Sequence, residues 1–332
     1  MTKTICVAGA SGLVGSNIVK TALSRGYYVN GTMRDKDDVE KTKYLSALKN
    51  AENLTLFNAN MQDNASFDAA LTGADAVFIS CLIPTYKGPS GKLAKEMNYV
   101  QGYNEIIRPT LDGCINIMQS AHRKNLKNVV ICSSTSSTNP FPPVPLKNEV
   151  DHWSDETEQC EAKKFTSAAK TVMEKAAIKF AAINNIRLSI ILPTGLYGEA
   201  ILPGHLTHNP FAWLKSVIDG NSPRHIKIPN DSTSMIHLED LANLFLAAYE
   251  DPNATGRYFG VYDSLHWQDI YAECKTLLPL MQMPEPTSED PVVPTNFDLT
   301  RRNSLGVNIR DFPTLLRQTI QWIKSDPFKT TN

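Results

Sequence analysis

The stretch that most constrains this chain lies near its start: Ile5-Cys6-Val7-Ala8-Gly9-Ala10-Ser11-Gly12-Leu13-Val14-Gly15. A short apolar run meets three glycines at three-residue spacing. The amphipathic pattern Leu13, Val14, Ile18, Val19, Ala22 and Leu23 follows. Together they predict a strand, a tight turn and a helix. Gly9 supplies the turn's unusual backbone angles. Gly12 lets the main chain approach a pyrophosphate, and Gly15 lets the helix pack closely on the strand. The phosphate would rest on the free N–H groups at the helix N-terminus. An ordinary glycine turn can show the same spacing. Its place on the first strand, with these flanks, makes nucleotide binding the stronger expectation.

Strand and helix patterns then alternate. Strands are expected at 27–33, 54–58, 74–81, 128–132 and 187–192, with helices at 37–48, 66–71, 102–124 and 161–183. This alternation marks an α/β fold, a Rossmann-type doubly wound parallel sheet. Beyond residue 195 prolines cluster, at 203, 210, 223 and 229 and again from 279 to 294, and one further helix is expected at 238–249. The expected organisation is a dinucleotide-binding domain over 1–195, to which helix 238–249 returns. A smaller C-terminal substrate lobe covers most of 196–330.

Composition excludes several partners. Lys and Arg number 33 and Asp and Glu 34, for a net charge of −1, with no basic block. Neither nucleic acid nor a membrane surface is an expected partner. No apolar run is long enough to span a bilayer, and the early first strand argues against a signal peptide. The six cysteines form no CxxC pair, and Cys6, Cys81 and Cys132 lie in apolar runs. They read as core residues of a cytoplasmic protein with no structural disulfide and no metal site.

Cofactor choice turns on the end of the second strand. A site selecting NAD(H) places a carboxylate there. This chain has Met33-Arg34, with Lys41 one to two helical turns on. A guanidinium suits a 2′-phosphate, which favours NADP(H). Asp35 keeps NAD(H) as the minority option. The residues 85–99, rich in lysine and glycine, follow the fourth strand on the ligand side of such a sheet and read as a lid or a variable surface loop.

Several segments together resemble the extended short-chain dehydrogenase/reductase family, and within it the dihydroflavonol reductase and cinnamoyl-CoA reductase branch. They are the glycine stretch, Gly31-Thr32-Met33-Arg34-Asp35, Ser66-Phe67-Asp68-Ala69-Ala70-Leu71, Pro109-Thr110-Leu111-Asp112-Gly113, Val129-Val130-Ile131-Cys132-Ser133-Ser134, Lys170-Thr171-Val172-Met173-Glu174-Lys175-Ala176-Ala177, Pro193-Thr194-Gly195-Leu196-Tyr197-Gly198 and Ile236-His237-Leu238-Glu239-Asp240-Leu241. The resemblance implies an NADP-linked carbonyl/alcohol oxidoreductase acting on a small molecule, and it leaves a homodimer open. It implies cofactor contacts from Gly9, Ser11, Gly12, Leu13, Val14, Gly15, Arg34, Lys41, Asn60, Met61, Cys81, Leu82, Lys170, Pro193, Thr194 and Leu196. Asn60 stands where the family usually has an aspartate, and Cys81-Leu82-Ile83 where it has a small-residue turn.

The family's catalytic serine and lysine match Ser134 and Lys170. Its tyrosine, four residues before the lysine and on the same helix face, is replaced by Thr166, and no tyrosine occurs between 104 and 196. A threonine hydroxyl is a far weaker acid than a phenol, whose pKa is about 10. Losing a positioned general acid typically forfeits ~10²–10⁴ in rate. Tyr86, Tyr103, Tyr197 and His237 are the candidate substitutes. His205, His208, Phe211, Trp213 and Arg224 are candidate pocket residues of the second lobe. Three functions remain open: a reductase with altered proton supply, a nucleotide-binding sensor or scaffold without chemistry, and a lyase or epimerase on the same frame.

Overall fold

In the computed structural model, which describes residues 3–329, β1 (Thr4–Ala8) leads through the glycine turn into α1 (Leu13–Ser24). Next come β2 (Tyr28–Met33), α2 (Val39–Ser46), β3 (Leu54–Asn58), α3 (Asp68–Leu71) and β4 (Ala76–Ile79). After a long loop, the turn α4 (Tyr99–Gly102) runs through a π segment, Tyr103–Ile107, into α5 (Arg108–Arg123). The wider turns carry the helix past Pro109, which has no N–H to donate. Then follow β5 (Asn128–Cys132), α6 (Glu156–Glu161), α7 (Phe165–Ile183) and β6 (Arg187–Pro193).

These six strands pair in parallel in the order β3-β2-β1-β4-β5-β6. The winding reverses between β1 and β4, and a crevice opens there at the carboxyl ends of the strands. Side chains alternate between faces, as a strand requires. Ile5, Val7, Phe78 and Val130 join Ile18, Val19 and Leu23 of α1 on one face. Cys6, Ala8, Val77 and Ile131 join Ile117 and Met118 of α5 and Met173 and Ala177 of α7 on the other. Both faces are covered, which is why the strands read as continuous apolar runs.

The second half holds β7 (Leu196–Tyr197), α8 (Phe211–Ile218), β8 (Ser232–His237), α9 (Leu238–Glu250), β9 (Gly256–Gly260), β10 (Asp263–His266), α10 (Trp267–Leu277), α11 (Thr300–Ser304) and α12 (Phe312–Lys324). A small sheet, β10-β8-β7, packs with α8, α10 and α12 around Phe211, Trp213, Tyr271 and Leu315. Leu241 and Phe245 of α9 join the core beneath α1.

Three features differ from the sequence expectation. β9 pairs in parallel with β6, placing Arg257 opposite Ile190, and makes the main sheet seven-stranded. Glycines at both ends and an arginine inside its five residues hid its apolar pattern. The second half carries several helices rather than one. In α12, Pro313 lies in the first turn, where a missing N–H does no harm, so proline density there does not break a helix. The helix expected from 161 is split as well. Asp155 caps α6 by accepting from the N–H groups of Thr157 and Glu158 at 2.8 and 3.0 Å, and Lys163 takes φ +55° before α7 begins at Phe165.

Candidate cofactor and active site

The glycine turn and the end of β4 meet at the switch point. Gly9 has φ +91°, and a Cβ there would stand 2.9 Å from that of Cys81. The N–H groups of Gly9 and Ala10 donate to the Thr32 carbonyl at 3.1 and 2.8 Å, tying the turn to β2. A Cβ on Gly15 would overlap the Gly9 carbonyl and the Ser80 hydroxyl. Gly12 differs, because its Cβ would meet only the Gly9 carbonyl, at 3.3 Å. It is the N-cap of α1 and gives no side-chain cap, so the first-turn N–H groups lack a side-chain acceptor. Room beside Gly12 and uncapped N–H groups fit an anionic pyrophosphate. Leu13 and Val14 pack against the second-lobe core. Gly12 has φ −79° and ψ 164°, which suit any residue. Gly12→Val is therefore expected to leave the circular dichroism spectrum native while abolishing dinucleotide binding in a fluorescence titration. Wild-type affinity in that variant would place the phosphate elsewhere.

At the end of β2, Arg34 is exposed and pairs with no acidic side chain among the described residues. Lys41, by contrast, is held by Asp38. Of the two basic residues singled out by the sequence, Arg34 is the one without an acidic partner among the described residues. Asn60 turns its side chain to the Gln62 N–H, at 3.1 Å. Met61 packs on Gly113 of α5, and its carbonyl accepts from Asn116 at 3.0 Å.

Ser134 follows β5 and caps a short turn, its Oγ accepting the Ser136 N–H at 3.2 Å. Its own hydroxyl proton remains for another acceptor. Thr166 lies in the first turn of α7 and donates to the Thr85 carbonyl. One turn on, Lys170 donates to the Leu82 carbonyl and is only 3% exposed. Burial pushes the Lys170 pKa below the ordinary lysine value, with Cys132 and Glu174 opposing. Burial likewise pushes the Cys81 thiol up to about 12, so it stays protonated and unreactive at neutral pH. A line of contacts thus runs from Gly9 through Cys81 and Leu82 to Lys170. Pro193 ends β6 opposite Gly260, while Gly195, between Thr194 and Leu196, accepts the Ile236 N–H at 3.0 Å.

The substitute proton donors separate clearly. Tyr197 is buried edge-on against Phe312, ring centroids 6.1 Å apart, and burial raises its pKa. His237 caps α9 by accepting the Glu239 N–H at 3.2 Å, and burial holds its pKa down to about 4. Both have structural roles. Tyr86 and Tyr103 are exposed. Gly102, one residue before Tyr103, packs on the ring of Phe165, the residue before Thr166. Phe211 and Trp213 lie in the second-lobe core, and the Arg224 guanidinium lies 5.3 Å from the Trp267 ring centre. The rings of His205 and His208 are 6.3 Å apart, and His205 reaches the glycine turn itself.

Sequence reasoning missed a buried ion pair behind Ser134. Glu174, one turn after Lys170, accepts from the Ser133 hydroxyl and pairs with Arg257 of β9 at 2.9 Å. Arg257 also donates to the carbonyls of Ser137, Glu149 and His152 at 3.2, 3.0 and 3.1 Å, and its guanidinium lies 3.6 Å from the Trp153 ring centre. Burial raises the Glu174 pKa, while Arg257 and the hydroxyls of Ser133 and Ser137 pull it back. The available signal was a charge on the inward face of α7, four residues after Lys170. Among the described residues no cluster of three or more His, Cys, Asp or Glu is placed to hold a metal, and no helix is long and apolar enough to cross a membrane.

A parallel sheet with a glycine turn at its switch point defines a Rossmann-type α/β protein. The chain belongs to the NAD dependent epimerase/dehydratase family, whose model matches residues 5–261. It is similar to a cinnamoyl-CoA reductase of Medicago truncatula, 30% identical over 98% of this chain and 96% of that one. It is also similar to a dihydroflavonol 4-reductase of Callistephus chinensis, 34% identical over 77% of this chain and 67% of the other. Among solved structures, vestitone reductase from alfalfa superposes with a TM-score of 0.76 at 20% identity, covering 98% of this chain and 99% of that one. Gre2 of Candida albicans in complex with NADPH gives 0.78 at 20% identity, with coverage of 98% and 99%.

Proposed function

We propose that the chain is an NADP(H)-dependent carbonyl reductase that works without a fixed phenolic acid. The observation that carries this is the buried Lys170, bonded to the Leu82 carbonyl just beyond β4 and one turn from Thr166, with Ser134 just beyond β5 at the carboxyl ends of the same sheet. The names of the similar reductases, and the NADPH bound by Gre2, support the same reading. Gly12 and the start of α1 would receive the pyrophosphate, and Arg34 the 2′-phosphate. Lys170, with two donors beyond the one given to Leu82, would hold the ribose hydroxyls. When bound there, the dinucleotide would supply the hydride. Ser134 would hydrogen-bond the substrate carbonyl oxygen through its free O–H while keeping the proton. Thr166 is committed to Thr85, so the proton that completes the alcohol comes from solvent rather than from α7.

A second reading has its own observation. Thr166 and Lys170 both spend a hydrogen bond on carbonyls of the 82–85 segment, an arrangement that also suits cofactor binding without turnover. Titrating NADPH and NADH, then following NADPH consumption with a panel of aldehydes and ketones, separates the two. NADPH should bind more tightly. Arg34→Ala should weaken NADPH about tenfold, from the loss of a charge-assisted bond worth ~1.5 kcal/mol at this exposed site, and leave NADH unchanged. Equal affinities in the wild type would remove the assignment to Arg34, and binding with no turnover would favour the second reading.

A further inference from the structure

The segment 199–205 belongs to the second half of the chain but is fastened to the first. The Glu199 carbonyl accepts from Asn17 of α1 at 3.2 Å, and its carboxylate pairs with Lys20 at 2.7 Å. Leu202 is buried with Met33 and Leu45. His205, 6% exposed, brings Nε2 to 3.1 Å from the Ser11 carbonyl, while its Nδ1 lies 3.4 Å from the Leu202 N–H. These partners fix the tautomer. Nδ1 faces a donor and accepts, so Nε2 carries the proton and donates to Ser11. Burial holds the ring's pKa down to about 4, and His208 is the titratable neighbour that adds to this, so the ring is neutral at physiological pH.

The Ser11–Gly12 peptide is thereby held at both ends. Its carbonyl is taken by His205, and its N–H donates to the Gly9 carbonyl at 2.9 Å. A peptide free to rotate could swing the carbonyl dipole toward the room beside Gly12 and repel an anion there. We propose that His205 is a positioning residue for the pyrophosphate cradle, fixing the glycine turn from the second lobe in the orientation that accepts a dinucleotide. This rests on the dinucleotide reading of the glycine turn and does not depend on catalysis.

The test compares NADPH with adenosine 2′-monophosphate, which carries the adenine and 2′-phosphate but no pyrophosphate. Affinities are measured by calorimetric titration for the wild type, His205→Ala and His205→Gln. His205→Ala should weaken NADPH roughly three- to tenfold, the loss of one net hydrogen bond, and leave adenosine 2′-monophosphate unchanged. His205→Gln keeps an N–H donor and should recover most of the NADPH affinity. Unchanged NADPH affinity in His205→Ala overturns the proposal. So does an equal loss for both ligands, which would make 199–205 a packing strap only. If His205→Ala does not fold, the wild-type protein decides. Its isotope-labelled histidine spectrum should show His205 protonated at Nε2 and shifting with NADPH but not with adenosine 2′-monophosphate. A His205 signal indifferent to NADPH overturns the role. Wild-type protein that binds no NADPH at all fails the dinucleotide reading itself, a result distinct from either.

Discussion

Arg257→Met is expected to cost about 3–5 kcal/mol of folding stability in urea denaturation. The guanidinium it removes is 5% exposed and serves Glu174, Ser137, Glu149 and His152 together. Methionine fills much of the volume but leaves the Glu174 carboxylate buried with only the hydroxyls of Ser133 and Ser137 beside it. An uncompensated buried charge is far worse than an absent pair. The double variant Arg257→Met with Glu174→Met should therefore recover a large part of the loss, although each single change is harmful. Such non-additivity is the mark of directly coupled groups. A loss below about 1 kcal/mol in Arg257→Met would show that the pair is not ionised or is open to water.

Thr166→Tyr should raise NADPH-dependent carbonyl reduction by about 10²-fold or more, the usual contribution of a positioned general acid. The phenol would stand one turn before Lys170, whose ammonium favours phenolate and so makes the phenol a better acid. The Thr85 carbonyl loses the Thr166 hydroxyl but lies in a partly exposed segment where water can replace it. The measurement is NADPH oxidation with a panel of aldehydes and ketones, alongside cofactor affinity and Tm. Native stability with unchanged cofactor binding and no gain on any carbonyl would sink the reductase reading and favour binding without turnover.

The sequence showed where chemistry could sit but not what each side chain touches. β1 to β6 were legible because two-sided burial writes itself as apolar runs, and the glycine turn because Gly9, Gly12 and Gly15 each answer a separate geometric demand. β9 was not, since Gly256, Arg257 and Gly260 owe their identities to partners outside the strand. The replacement at Thr166 could be seen, but its acceptor on Thr85 lies 81 residues away. His205 looked like any pocket histidine, because nothing local distinguishes a ring facing substrate from one facing Ser11. Tyr197 and His237 carried the right chemistry but are consumed by packing and capping.

The placement of β9 bears on how the protein is made. Until residue 260 has been synthesised, β6 is an open edge that can template pairing with another chain. Until then Glu174 also has no guanidinium to meet. The first 195 residues hold the nucleotide motif, yet their sheet takes its seventh strand from beyond them. A nascent chain emerging from the ribosome must keep six strands from committing elsewhere while some sixty further residues arrive, a wait during which exposed sheet edges invite misassembly. The second half thus completes the first in two places, through Arg257 of β9 on Glu174 and through His205 on the glycine turn.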